Sequence, residues 1–174
     1  MKIITSKCII RTFEQTETDV HNLALAANNK NIWNNVRDYF PYPYTTDDAK
    51  DFIAFCLESE PETNFAIAVN DKIIGTIGMN LQTDIHRVGA EIGYWISENY
   101  WQQGILTATL QSFIPYIFAT FPSIHYLYAG VLAYNKGSMR VLEKVGFQLE
   151  GISRKALIKN GNIYDEYRYS LVRE

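Results

Sequence analysis

The sequence has few of the residues that mark secreted, metal-binding or membrane proteins. Only two of its 174 residues are cysteine, Cys8 and Cys56, which are too few and too far apart for a metal cluster or a disulfide framework. Apolar runs such as Phe113–Ile117 are far too short to cross a bilayer. Residues 1–11 alternate polar and apolar side chains and lack the apolar block of a signal peptide. We therefore expect a cytoplasmic protein without a metal or a membrane partner, with both cysteines in its core.

The sequence also lacks a strong charge of either sign. Its 16 basic and 19 acidic residues give a net charge of −3, and no basic run is present. This composition excludes a general nucleic-acid binder, which needs a basic patch to contact phosphates. We find no internal repeat, low-complexity segment or linker. Because 47% of the residues are hydrophobic and 20% are charged, we expect one globular domain over residues 1–174.

Hydrophobic periodicity and turn residues predict a succession of strands and helices. We expect strands at 3–13, 64–69, 72–80, 88–96 and 125–132, and two closing strands that meet at Asn160–Gly161. We expect helices at 16–29, 32–37, 104–119 and 136–144, and one more that begins at Thr45 or Thr46. The strand–helix–strand unit around the helix at 104–119 predicts one parallel crossover within a mixed α/β sheet.

The turn of this crossover is a candidate ligand site. It reads SENYWQQGILT and places Gly104 at the entrance of the following helix. Ligands of open α/β sheets bind beyond the carboxyl ends of parallel strands, and the N–H groups that begin a helix attract anions. A lone glycine at a helix start is a weak signal, because most such glycines only interrupt regular structure.

The signal becomes specific in combination with the rest of the chain. The segment AEIGYWISENYWQQGILTATL is followed by NKGSMRVLEKVGF and then by NGNIYDEYRYSL. With these motifs the chain resembles, over essentially its whole length, the GNAT acetyltransferases, and among them the ribosomal-protein N-terminal acetyltransferases of the RimJ/RimL type. The resemblance implies a twisted, mostly antiparallel mixed sheet of about seven strands, a central splayed parallel pair and about four helices. It also implies direct transfer of an acetyl group from acetyl-CoA to a primary amine, without a metal.

The resemblance further implies where acetyl-CoA binds. Backbone amides would surround its pyrophosphate at Gln102, Gln103, Gly104, Ile105, Leu106 and Thr107. Gln102 and Leu106 depart from the small residues usual in the family, which is tolerable if their side chains point away from the cofactor. An N–H group near Trp95 or Ile96 would polarise the thioester carbonyl. Asn135 would contact the cofactor arm, and its position also predicts a helix N-cap.

Ser138 and Glu91 are the candidate catalytic residues. Ser138 would protonate the departing thiolate, because Leu142 stands where many GNAT enzymes carry a tyrosine; the alternative is an ordinary first-turn serine. Glu91 lies on a central strand, on the same face as Gly93 and Trp95, and would deprotonate the amine; the alternative is a salt bridge. The other candidate bases are Glu150 and Asp165, ahead of His86 and His125.

An aromatic segment stiffened by Pro41 and Pro43 is the candidate acceptor site. It contains Tyr39, Phe40, Tyr42 and Tyr44. These residues stand where relatives build the acceptor pocket, and capping of the hydrophobic core is the alternative.

The acceptor would be a peptide, a protein or a small molecule that bears an amine. A lysine-like amine, with a pKa near 10.4, costs about 3 kcal/mol more to deprotonate than an α-amine with a pKa near 8. A chain without a convincing base therefore favours an N-terminal α-amine. The alternatives are a small-molecule acetyltransferase, acting on a polyamine, an amino sugar or a drug, and a non-catalytic acyl-CoA-binding module. A monomer and a homodimer are both compatible with the sequence.

Overall fold

The computed structural model describes every residue from Met1 to Glu174 and contains eight strands and five α-helices. The strands are β1 (Lys2–Ile4), β2 (Ile9–Arg11), β3 (Asn64–Val69), β4 (Lys72–Leu81), β5 (Gly89–Ile96), β6 (Tyr126–Leu132), β7 (Gln148–Lys159) and β8 (Asn162–Val172). The helices are α1 (Glu17–Ala27), α2 (Lys30–Trp33), α3 (Thr46–Glu58), α4 (Ile105–Thr120) and α5 (Lys136–Lys144). None of the helices has the length and apolar character required to cross a membrane.

The strands form one mixed sheet in the order β1-β2-β3-β4-β5-β6-β8-β7. The only parallel neighbours are β5 and β6, which pair from Gly89 with Tyr126 to Glu91 with Tyr128. The crossover between them contains α4. The predicted fold class, an α/β sheet that is mostly antiparallel with one parallel pair, is therefore confirmed, with one strand more than expected. The five helices match the number predicted from periodicity and exceed by one the number that the resemblance implied.

The extra strand arises at the N-terminus, where one strand was predicted over 3–13. That prediction was wrong, because β1 and β2 form an antiparallel hairpin that pairs Ile3 with Ile10. Thr5 ends β1: its hydroxyl accepts the N–H of Lys7 at 3.1 Å and that of Cys8 at 2.9 Å. Such local side-chain bonds offer the backbone an alternative to the strand ladder and so make a turn.

Helix α2 lies earlier in the chain than the predicted range 32–37. It begins at Lys30 because the side chain of Asn29 accepts hydrogen bonds from the N–H groups of Asn31 and Ile32.

The cap predicted for α3 is observed. Thr45 caps α3 and forms a capping box with Asp48, whose pKa is lowered by the hydrogen bonds from the hydroxyl and N–H of Thr45.

The chain forms two compact units, and the first consists of Met1–Gly78 with Tyr94–Thr109. Its hydrophobic core includes Phe13, Leu23 and Ile53, which are almost fully buried. Near this core Asp19 of α1, itself 2% exposed, accepts two hydrogen bonds from the guanidinium of Arg11, at 2.6 and 2.8 Å. The buried carboxylate is thus paired, as the cost of burying a charge requires.

The second unit consists of Met79–Gly93 with Leu110–Glu174. Here β6, β8 and β7 are antiparallel neighbours, and α5 packs on one face of them, where the hydroxyl of Tyr169 donates to Glu143 at 2.8 Å. Side chains alternate between the two faces of a strand, so Tyr126, Tyr128 and Arg168 lie on the opposite face. The single domain over residues 1–174 stays a prediction.

Candidate active site

The loop from Ser97 to Gly104, between β5 and α4, is held by side-chain hydrogen bonds. The carboxylate of Glu98 accepts hydrogen bonds from the side-chain amides of Asn29, at 2.8 Å, and Asn31, at 3.0 Å. These bonds lower the pKa of Glu98. The indole N–H of Trp101 donates to the carbonyl of Ile96 at 2.8 Å, which returns the loop to the end of β5. The loop is therefore fixed at both its beginning and its middle.

The end of this loop leaves N–H groups available at the start of α4. Gly104 has a φ of +74°, a backbone conformation that favours glycine, and Gln102 before it has a φ of +60°. The first helical bond runs from the N–H of Ala108 to the carbonyl of Gly104, at 3.1 Å. The N–H groups of residues 105–107 thus have no acceptor within the helix, and a glycine offers no side chain to cap them. This arrangement suits an anion.

The side chains that depart from the family pattern leave this end of the loop accessible. Gln102 and Gln103 are both exposed, and Leu106 is half-buried within the first turn of α4. A site formed by main-chain N–H groups tolerates such side chains as long as they do not cover it. The departures at Gln102 and Leu106 therefore do not argue against anion binding.

Lys7 adds a positive charge beside the same loop. Its ammonium donates to the carbonyl of Gln103 at 2.6 Å and lies 3.6 Å from the place that a Cβ at Gly104 would occupy. Lys7 and Gln103 are 96 residues apart in the chain, so no motif in the sequence indicates their contact. The sequence analysis missed this residue for that reason.

The aromatic segment divides into a pair that packs on the core, Tyr44 and the half-buried Phe40, and an exposed pair. Tyr44 is 6% exposed, its pKa is raised by burial, and the ring of Phe40 packs against it with 4.9 Å between centroids. Phe40 also meets Trp95 edge-on at 5.6 Å. Tyr39 and Tyr42 are 80% and 44% exposed. The core-capping interpretation thus describes Phe40 and Tyr44, whereas Tyr39 and Tyr42 face solvent.

In the second unit, Asn135 caps α5. Its side-chain oxygen accepts the N–H of Ser138 at 3.1 Å, which confirms the predicted N-cap. The side chains of Asn135 and Ser138 are both half-buried. Leu142, one turn further on, is fully buried and belongs to the core. The first turn of α5 thus contains a half-buried hydroxyl at Ser138.

The open face of the second unit carries Glu91 and a cluster of polar and aromatic side chains. Glu91 is half-buried and is paired in register with Tyr128. The hydroxyl of Tyr126 donates to Glu150 at 2.6 Å, which lowers the pKa of that carboxyl. The guanidinium of Arg168 lies over the ring of Tyr128, 4.1 Å from its centroid, and 3.9 Å from the carboxylate of Glu150. Glu150 thus has two partners already.

The other candidate bases are placed for structural roles. Asp165 accepts the N–H of Lys155 at 2.8 Å, where Lys155 has a φ of +55° in the irregular part of β7. This bond stabilises a strained turn of the strand. His86 ends a short 3-10 turn and His125 directly precedes β6, and both are exposed. Of the carboxylates named from the sequence, Glu91 is the one that lies on β5, a member of the parallel pair.

Comparison with known proteins decides the family. Residues 7–148 match the family described as an acetyltransferase (GNAT) domain. The chain belongs to the GNAT acetyltransferase family. It is 33% identical to the "Probable N-acetyltransferase YjcK" of Bacillus subtilis (strain 168). The match extends over 168 residues, which are 87% of this chain and 86% of that protein.

Two further relatives bear on the group within the GNAT family. The ribosomal-protein-serine acetyltransferase of Escherichia coli (strain K12) is 33% identical over 110 residues, which are 59% of this chain and 55% of that protein. The solved structure of the ribosomal α-N-protein acetyltransferase RimL in complex with coenzyme A superposes with a TM-score of 0.84 at 21% identity, over 99% of this chain and 98% of that one. The resemblance to the RimJ/RimL group is confirmed, and this GNAT chain is an N-acetyltransferase.

Proposed function

We propose that this GNAT enzyme transfers the acetyl group of acetyl-CoA to the N-terminal α-amine of a peptide or protein. The observation that carries the proposal is the anion site at Gly104, where N–H groups of α4 without helical acceptors stand beside the ammonium of Lys7. A pyrophosphate is the anion that coenzyme A supplies, and oriented N–H groups at a helix start bind such a group well. The coenzyme A bound to RimL supports the same choice of cofactor.

The proposal assigns the cofactor contacts to short segments of the chain. The pyrophosphate is bound by the backbone of Gln102, Gln103, Gly104, Ile105, Leu106 and Thr107, with Lys7 as an added cation. The amide of Asn135 contacts the pantetheine arm while its oxygen caps α5. A backbone N–H at Trp95 or Ile96 stabilises the oxyanion that forms at the thioester carbonyl oxygen when the amine attacks.

The reaction takes two protons from the ammonium and delivers one to the sulfur. The ammonium gives its first proton to Glu91, and its nitrogen then attacks the acetyl carbonyl carbon to form a tetrahedral intermediate. The carbon–sulfur bond breaks, the proposed donor Ser138 protonates the thiolate, and the second proton of the nitrogen restores the serine hydroxyl, which leaves an amide and a thiol. Most of the rate then comes from holding amine and thioester in attack geometry.

The α-amine is the proposed acceptor for a chemical reason. It is cheaper to deprotonate than a lysine-like amine by about 3 kcal/mol, so it suits a site with one half-buried carboxylate as its candidate base. The similarity to a ribosomal-protein-serine acetyltransferase supports the same choice. Tyr39 and Tyr42, the exposed members of the aromatic segment, are the proposed acceptor contacts.

The test is release of coenzyme A thiol from acetyl-CoA over a panel of acceptors: peptides with varied first residues, polyamines, amino sugars and free amino acids. Because Cys8 and Cys56 are buried, at 6% and 1% exposure, the enzyme contributes little to the thiol signal. We expect release with peptides and loss of most activity in Glu91→Gln.

Each other outcome points to a different function. Release with polyamines or amino sugars alone would replace the peptide acceptor by a small-molecule amine. Binding of acetyl-CoA without thiol release from any acceptor would favour a non-catalytic acyl-CoA-binding module. Absence of acetyl-CoA binding would overturn the assignment of the Gly104 site.

A further inference from the structure

Glu166 of β8 holds its carboxylate over a glycine on the open face of the second unit. A side chain at Gly130 of β6 would collide with Glu166, whose Cδ lies 2.9 Å from the place that a Cβ would occupy. Gly130 is itself exposed, so the carboxylate lies on the surface of the sheet rather than within the core. The sequence analysis did not single out either residue.

This carboxylate has no partner. Glu166 is half-buried, and its carboxylate makes neither a hydrogen bond nor an ion pair, whereas the carboxylate of Glu150 on the same face makes both. The cation nearest along the strand is Arg168, two residues on and on the same face of β8. Its guanidinium is engaged by the ring of Tyr128 at 4.1 Å and by Glu150 at 3.9 Å. A half-buried carboxylate without a cation is an unfavourable arrangement that a cationic ligand would relieve.

Glu166 also lies where a ligand of this sheet is expected. It is paired with Leu132, the last residue of β6, and β6 is a member of the parallel pair. The carboxyl ends of parallel strands are the ligand-binding edge of open α/β sheets. The chain continues from this edge into the Asn135 cap of α5.

Two tyrosines occupy the next positions along the chain on this face of the sheet, Tyr164 before Glu166 and Tyr134 after Leu132. Tyr164 precedes Glu166 by two residues on β8, and its ring packs edge-on against Tyr134 with 4.9 Å between centroids. Tyr134 is 39% exposed, so part of its ring is open to a ligand. A carboxylate beside tyrosine rings is the environment that binds an ammonium group, by charge and by cation–π attraction.

We propose that Glu166 binds the ammonium group of the acceptor and so selects amine acceptors that carry a positive charge. The inference rests on the proposed acetyl transfer and adds a residue that positions the amine before it loses its proton. Tyr134 and Tyr164 form the apolar side of this subsite. Glu166 makes its contact with the substrate and does not contact acetyl-CoA.

The test compares the wild type with Glu166→Gln and Gly130→Ala. The first variant removes the charge. The second keeps the charge but displaces the carboxylate, and because the atoms it meets are the end of a flexible side chain, the fold is retained. The control is Glu58→Gln, the same charge change at an exposed residue at the end of α3.

The probes are a short peptide with a free α-amine and the same peptide with a hydroxyl in place of the amine. Equilibrium binding of both is measured by calorimetry in the presence of coenzyme A, and KM for the amine peptide is measured by thiol release. We expect both variants to weaken amine-peptide binding and raise its KM about ten- to a hundredfold, the range for a hydrogen bond to a charged group. Binding of the hydroxyl peptide, binding of acetyl-CoA and the control variant stay unchanged.

The two proposals fail in different ways. Transfer by the wild type with an unchanged KM in both variants would overturn the role of Glu166 and leave the proposed function intact. If no acceptor is acetylated, the proposed function fails, and calorimetry still decides on Glu166. A wild-type preference for amine over hydroxyl peptide that both variants lose would support the subsite, and no preference would overturn it.

Discussion

Asn135 combines two roles in one side chain. Its oxygen accepts the N–H of Ser138 and so caps α5, whereas its amide N–H groups remain available to a ligand. The cap contributes to stability and the amide would contribute to cofactor binding. A serine at this position separates the two, because its hydroxyl can cap the helix but it has no amide to donate.

We expect Asn135→Ser to keep the free energy of unfolding within about 0.5 kcal/mol of the wild type, because serine and asparagine are similar caps. Affinity for acetyl-CoA should fall about tenfold, the effect of losing one hydrogen bond to the ligand. Asn135→Ala should lose about 1 kcal/mol of stability as well. Urea denaturation and calorimetric titration measure the two effects. An unchanged affinity in Asn135→Ser would restrict Asn135 to the cap.

At the scale of elements, the β5–α4 loop joins a helix start to a cation from a distant part of the chain. Glu98 and Trp101 hold the loop, and Gly104 leaves the N–H groups of α4 uncapped. Lys7 reaches the loop from the β1–β2 turn. The N–H groups act at short range, whereas the attraction of the lysine falls as salt is added.

We therefore expect Lys7→Met to weaken acetyl-CoA binding about two- to fivefold at low ionic strength, because one exposed charge contributes up to about 1 kcal/mol. The difference from the wild type should shrink in 0.5 M salt, a concentration at which screening is about complete within a few ångströms. Titrations at the two ionic strengths measure it. Lys72→Met, at an exposed lysine of β4 in the same unit, is the control. A loss independent of salt would mean that Lys7 only shapes the loop.

At the scale of the whole molecule, stability depends on how the buried charge in the first unit is paired. Arg11 and Asp19 are 17% and 3% exposed at their side chains, and the hydrogen bonds that Arg11 donates to Asp19 raise the pKa of the guanidinium. The N–H of Glu14 donates to the same carboxylate at 2.9 Å. Removal of the guanidinium would leave a buried carboxylate without its cation.

We expect Arg11→Leu to lower the free energy of unfolding by about 3–5 kcal/mol, the cost of breaking a buried pair from one side. The double variant Arg11→Leu with Asp19→Leu should recover part of this loss, because no charge remains to be buried. Urea denaturation followed by circular dichroism measures both. A loss below about 1 kcal/mol in the single variant would mean that the pair contributes no more to the free energy of unfolding than a surface ion pair does.

Local sequence signals predicted the elements well wherever a turn or cap decided them. The caps Thr45 before α3 and Asn135 before α5, and the turn at Asn160–Gly161 between β7 and β8, act through their own backbone conformation or nearest hydrogen bonds. The N-terminal strand was the main error, because the turn at Thr5 depends on a threonine that equally suits a strand. The resemblance also supplied the family and the Gly104 loop.

Contacts between distant segments were decided only by the tertiary structure. Register in the β7–β8 hairpin is an example: two irregularities let the 12 residues of β7 span Asn162–Ser170, and this shift sets Arg168 opposite Gly151. The placement of Lys7 at Gln103, and of Glu166 over Gly130, likewise depends on packing of residues far apart in the chain. Sequence by itself determined most of the elements, the family and the position of the loop at Gly104, because those follow from local conformation and from motifs. The positions of the charges of Lys7 and Glu166 depend instead on which distant segments the fold brings together.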